Sequence, residues 1–117
     1  FNHLSEAQLP DGSWLGEYGN ALPMADRLRL SREPAPAFRD TNFAAYPATA
    51  LWHHVRLTGD ASVARRHWPM VRAAIDFVLG LQHPAGDVSW SAEGHGTGVD
   101  DALLAGNSSI YKSLDAP

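Results

Sequence analysis

The sequence predicts an all-α chain built from antiparallel helical hairpins. Three observations carry this. Long apolar segments recur at helical rather than alternating spacing. The two longest, one ending at Leu57 and the other beginning at Ala61, are separated only by Thr58-Gly59-Asp60. One unit also occurs twice: a helix ending in glutamine, a Pro/Gly loop and then a tryptophan, as Gln8 to Trp14 and Gln82 to Trp90. The glutamines lie 74 positions apart and the tryptophans 76, so a repeat architecture is expected.

Phe1, Leu4 and Gln8 share one helical face, and residues 1–8 read as the closing turns of a helix. Because that helix lacks a beginning and the sequence stops at Asp115-Ala116-Pro117 just after another helix, the chain is expected to be an excerpt, a single partial domain over 1–117 truncated at both ends. Pro10-Asp11-Gly12 supplies turn chemistry, since proline presets its φ and glycine tolerates a positive one. From Trp14 to Arg39 the chain carries Gly16, Gly19, Pro23, Pro34 and Pro36 without sustained periodicity. A connection of this length is uncommon and often functional; a short helical turn is expected around Met24–Leu30. Asp40 or Thr41 caps a helix over Asn42–Leu57, which is apolar almost all round and so suited to an interior. Pro47 is expected to kink it.

Gly59-Asp60 stops that helix and caps the next, making the pair an αα-hairpin. The second member, Ala61–Gln82, is expected to break at Trp68-Pro69. Arg65, Pro69, Arg72 and Asp76 form its wet face, opposite two apolar stripes, Ala64-Trp68-Val71-Ile75-Val78 and Met70-Ala74-Phe77-Leu81. After the loop His83–Val99, Asp100-Asp101 opens a last helix running to Leu114. No strand is expected. Short turns thus gather at one end of the helices and long loops at the other.

Composition bounds the function. Apolar residues make up 44% of the 117 and charged residues 19%, ordinary globular values. A net charge of −4 does not suit a phosphate backbone, so no nucleic-acid partner is expected. No segment approaches the roughly 18 apolar residues of a membrane span. No signal peptide is visible either, and a cytoplasmic location is the expectation. The absence of cysteine rules out disulfides and thiolate metal sites.

The segments Asp76-Phe77-Val78-Leu79-Gly80-Leu81-Gln82, Gly86-Asp87-Val88-Ser89-Trp90 and Ala7-Gln8-Leu9-Pro10-Asp11-Gly12-Ser13-Trp14 resemble the glutamine–tryptophan repeat of terpenoid cyclases and prenyltransferase-like proteins. The stretch from Asp40 to His54 is similar to one of that family's inner helices. The resemblance implies a fragment of an (α/α)6 toroid, two concentric rings of helices, with the remainder of its own toroid as partner. It also implies an isoprenoid substrate. Six-hairpin glycosidases of the glucoamylase kind look similar around Thr58-Gly59-Asp60, the segment from Trp68 to Phe77, and Gly86 to Trp90. They imply a carbohydrate instead. The D-x-D-D cluster of class II cyclases is not matched, because Val99 precedes Asp100-Asp101 and Gly98 stands where the first aspartate belongs. The zinc-binding cysteine of protein prenyltransferases has no counterpart.

Candidate chemistry follows from these readings. Asp40 is a helix cap or a carboxylate at the cavity mouth. Asp100 and Asp101 are a cap with a solvated neighbour, or a pair that holds a proton or a Mg2+ ion bearing a diphosphate, as hard oxygen ligands do. No other cofactor and no protein-held metal is expected. Glu17 and Glu93 each follow a repeat tryptophan in a long loop and form the alternative pair, as acid and base of a glycosidase. Phe43, Tyr46 and Trp52 are ordinary packing or an aromatic wall that stabilises a carbocation. His53-His54 point about 100° apart on a helix and do not form a metal site; one is expected to be buried and hydrogen-bonded. The isoprenoid enzyme is the leading reading, the glycoside hydrolase its rival, and a non-catalytic scaffold the third.

Overall fold

The computed structural model describes residues 1–15, 39–93, 97–98 and 101–115. The described residues form helix α1 (Asn2–Ala7), strand β1 (Arg39–Asp40), helices α2 (Thr41–Thr58) and α3 (Ala61–Leu79), strands β2 (Ser91–Glu93) and β3 (Thr97–Gly98), and helix α4 (Leu104–Leu114). The chain is all-α in its main architecture. The turn expected around Met24–Leu30 lies outside the described residues.

Local chemistry explains the α2–α3 hairpin. The Asp40 carboxylate accepts the Phe43 amide at 2.9 Å, satisfying one of the donors that a helix start leaves free. Gly59 ends α2 at φ 71°, with its amide bonded to the Val55 carbonyl, and Asp60 caps α3 by accepting the Ser62 amide at 2.8 Å. Hydrogen bonding from the Ser62 side chain, and then from this amide, holds the Asp60 carboxyl below its ordinary value.

Both helices run through their prolines: α2 continues past Pro47, and α3 continues past Pro69 against the expected break at Trp68-Pro69. A helical proline frees the carbonyl four residues earlier. Here those carbonyls belong to Phe43 and Arg65, both exposed residues, and the helices continue past both.

Two layers result. Ser5 and Gln8 of the first segment reach His67 and Met70 of α3 in the same chain order, so α1 and α3 run parallel. Asn42 meets Ser109, and Thr49 meets Ser113 at 3.0 Å, so α2 and α4 also run parallel. The tight turn makes α2 and α3 antiparallel. Parallel neighbours within each layer and opposed directions between layers are what an arc of an (α/α) toroid requires.

The core lies between the layers. Ala44, Ala45 and Leu51 of α2 face Met70, Val71, Ala74, Phe77 and Val78 of α3, with Ile110 of α4 and Trp14 and Val88 of the loops closing it. Arg65, Pro69, Arg72 and Asp76 are exposed as expected, but Trp68 is exposed too and leaves its predicted stripe. His67 is buried in its place, its ring 3.2 Å from the Ser5 hydroxyl.

Three short strands, absent from the sequence reading, form an antiparallel sheet in the order β1-β2-β3 at the long-loop end. Arg39 pairs with Ala92 and Asp40 with Ser91; Ala92 pairs with Gly98 and Glu93 with Thr97. Segments of two or three residues are too short to show alternation. Only long-range pairing defines them.

Candidate functional site

The long-loop end is built from two copies of one corner. In the first, the Gly12 amide bonds to the Leu9 carbonyl at 2.9 Å and the Leu9 amide to the Ser13 carbonyl at 2.9 Å. In the second, Gly86 and His83 repeat these bonds at 2.9 and 2.7 Å, the latter to Asp87. Gly12 and Gly86 both have positive φ, 90° and 100°. In both, the glutamine amide donates to the glycine carbonyl, Gln8 to Gly12 at 2.9 Å and Gln82 to Gly86 at 2.7 Å.

The copies therefore superpose at the glutamine offset. The tryptophans do not correspond. Trp14 matches Val88, and both are buried. Trp90 stands two positions further on, where its carbonyl receives the start of α2. This corrects the paired-tryptophan expectation: the duplicated element is the glutamine–glycine turn, and the residue after it need only fill the core. Gln82 also lies just beyond α3, which ends at Leu79.

Side chains fix the second corner to the helix starts. Thr41 donates its hydroxyl to the Ser89 and Trp90 carbonyls at 2.7 and 2.9 Å, and its amide to Trp90 at 3.1 Å. Asn107 acts like a strand neighbour for Val88, accepting its amide at 2.8 Å and donating to its carbonyl at 3.0 Å. Arg39, buried at the start of β1, reaches the Asp11 carboxylate at 2.7 Å, linking the sheet to the first corner. None of these contacts was visible in the sequence, since each joins residues far apart in the chain.

Asp40 lies at this end, half-buried, and its carboxylate is the cap of α2. Asp101 does not open the last helix. Helix α4 starts at Leu104 without a side-chain cap, while exposed Asp101 offers its backbone carbonyl to the Trp90 amide at 2.9 Å. That bond holds Asp101 to the Trp90 segment, ahead of the helix. Asp100 and Glu17 lie outside the described residues. Glu93 is on β2, in the strand that pairs with Asp40.

The aromatic residues separate. Phe43 and Tyr46 stack at 6.2 Å with planes 29° apart and are 57% and 45% exposed. Trp52 is half-buried, with Lys112 at 5.3 Å and Arg56 at 5.9 Å from its ring centroid. The ring is thus approached by two of the protein's own cations. His53 is exposed and meets the edge of Trp52. His54 is half-buried against Phe1, and its Nε2 has no hydrogen-bond partner among the described residues, contrary to the expectation of a hydrogen-bonded histidine. No group of three metal-ligating side chains occurs among the described residues.

One arrangement was not foreseen. His83 Nδ1 lies 2.7 Å from Asp87 Oδ2, and its Nε2 lies 2.9 Å from the Ser89 hydroxyl. With the aspartate ionised, Nδ1 donates and Nε2 accepts from serine. The bond to His83 holds the Asp87 carboxyl below its ordinary value. The order is that of a hydrolytic triad, but Ser89 is only 2% exposed and its hydroxyl cannot meet a substrate. The chain of bonds ties the loop together. The His-x-x-x-Asp-x-Ser spacing was the available signal.

No family model matches this sequence. The chain is similar to MMP endo-(1,4)-3-O-methyl-alpha-D-mannosidase of Mycolicibacterium hassiacum, with 40% identity over 114 residues. The match covers 97% of this chain and 28% of that protein. This overturns the isoprenoid reading: the relative is named as a glycosidase, and no family model supports a cyclase or prenyltransferase.

Proposed function

We propose that this chain is part of a glycoside hydrolase that cleaves 1,4 linkages between 3-O-methylated α-D-mannose units. The observation that carries the proposal is 40% identity along nearly the whole chain to a protein named for that reaction. The fold supports it, because helices of two layers leave their long connections at one end, where a polymer can be bound across several loops.

Hydrolysis of a glycoside needs one carboxyl group to protonate the leaving oxygen and a second to act as base or nucleophile across the bond, about 5–9.5 Å away. Glu17 and Glu93, each a few residues after a repeat tryptophan in the sequence, are proposed as that pair. Asp40, which caps α2, is proposed to add negative charge at the same end of the helices. Glu17→Gln and Glu93→Gln should each lower kcat on a 3-O-methyl-α-1,4-mannoside by about a hundredfold or more, with the far-ultraviolet circular dichroism unchanged. Near-normal turnover in both variants would remove the pair from catalysis. A wild-type protein that releases no sugar from this substrate would overturn the hydrolase reading itself.

A further inference from the structure

The aromatic pair at the start of α2 is outside the buried core of the described residues. Phe43 and Tyr46 stack on each other one turn apart, and both are largely in solvent. The adjoining groups are polar. The Asp40 carboxylate holds the Phe43 amide at 2.9 Å, and the Asn42 amide donates to the Tyr46 hydroxyl at 3.4 Å. Asn42 also bonds to Ser109 of α4. A flat apolar surface rimmed by a carboxylate, a carboxamide and a phenol is therefore presented at the end where the loops gather.

A 3-O-methylated sugar poses a particular recognition problem. Methylation removes a hydroxyl donor from each unit and adds an apolar group. A site made only of hydrogen-bonding side chains would leave one of them unpaired against the methyl ether. An aromatic face loses nothing and gains contact with the methyl.

We infer that Phe43 and Tyr46 form the surface that distinguishes O-methylated from unmethylated mannose. The inference rests on the hydrolase reading and adds to it the residues that set specificity. The Tyr46 hydroxyl, already engaged by Asn42, serves to orient the ring, so the ring face is the working surface. One methyl group against an apolar surface changes kcat/KM by roughly tenfold.

The test measures kcat/KM of the full-length protein on matched 1,4-α-mannosides with and without the 3-O-methyl group. Wild type is expected to favour the methylated substrate. Phe43→Ala and Tyr46→Ala are each expected to lower the ratio by about tenfold while activity on the unmethylated substrate persists, and Tyr46→Phe should keep the wild-type ratio. Equal losses on both substrates, or an unchanged ratio, would overturn the inference and leave the hydrolase reading standing. A fall in melting temperature with the ratio unchanged would assign the pair to packing against another helix, and would also overturn it. If wild type cleaves neither substrate, the hydrolase reading fails and the inference fails with it.

Discussion

The corners at Gln8 and Gln82 have the same backbone but different surroundings. At the first, Gly12 lies against α3 so closely that a β-carbon there would be 2.1 Å from the Ala73 carbonyl oxygen. Gln8 donates both to its own loop and to the Met70 carbonyl at 2.9 Å. Trp14 fills the space beneath, its indole N–H bonded to the Leu4 carbonyl at 2.8 Å. At the second, nothing among the described residues lies within 4 Å of a β-carbon placed on Gly86, and Gln82 is exposed, its amide donating to the Gly86 carbonyl. The turn is thus a local solution to ending a helix, stable by its own hydrogen bonds. At the first corner it also becomes a staple, because α3 is pressed against it.

The sharpest way to break this comparison is to put alanine at both glycines. Gly12→Ala combines a positive φ with a collision against backbone, and should cost about 3 kcal/mol or more. Gly86→Ala meets only the dihedral penalty and should cost about 1 kcal/mol. Urea unfolding of both variants measures the difference, and equal losses would show that the corners are equivalently packed.

A smaller effect comes from the glutamines. Gln8→Ala leaves the Met70 and Gly12 carbonyls without their amide donor and should cost about 1–2 kcal/mol, against about 0.5 kcal/mol for exposed Gln82→Ala. A larger loss at Gln82 would reverse the assignment of which corner is the staple.

The smallest effect depends on pH. The Asp87 carboxyl is held below its ordinary 3.8 chiefly by the bond to His83. A depressed carboxyl stabilises the fold above its unfolded value, and that contribution disappears as pH falls through the folded value. Protection of the amides at residues 82–90, relative to their intrinsic exchange rates, should therefore fall in acid below about pH 4, and Asp87→Asn should remove that acid step. An unaltered acid response in the variant would discard the His83–Asp87 bond as its source.

These corners also show how far the site could be read in advance. The caps at Asp40 and Asp60 and the left-handed stop at Gly59 were legible because each depends on neighbours within a few positions. Glutamine followed four residues later by glycine was legible for the same reason. The matching of Trp14 with Trp90 misled, because burial after the turn is satisfied equally well by Val88. The isoprenoid reading failed for a related reason: a recurring corner marks how helices are joined and says nothing about chemistry at the other residues. Asp101 looked like a cap by composition, yet pairing with Trp90 keeps it outside the helix.

By itself, the sequence determined the helices, their turns and the repeated glutamine–glycine corner. Dihedral limits, helix capping and apolar periodicity all act within a few residues of the chain. Only the tertiary structure decided that Arg39 pairs with Ala92, that Asn107 holds Val88, that Trp52 is engaged by Lys112 and that Phe43 and Tyr46 face outward. Those outcomes depend on closing long loops and on which faces of the two helical layers meet, and no local preference encodes either.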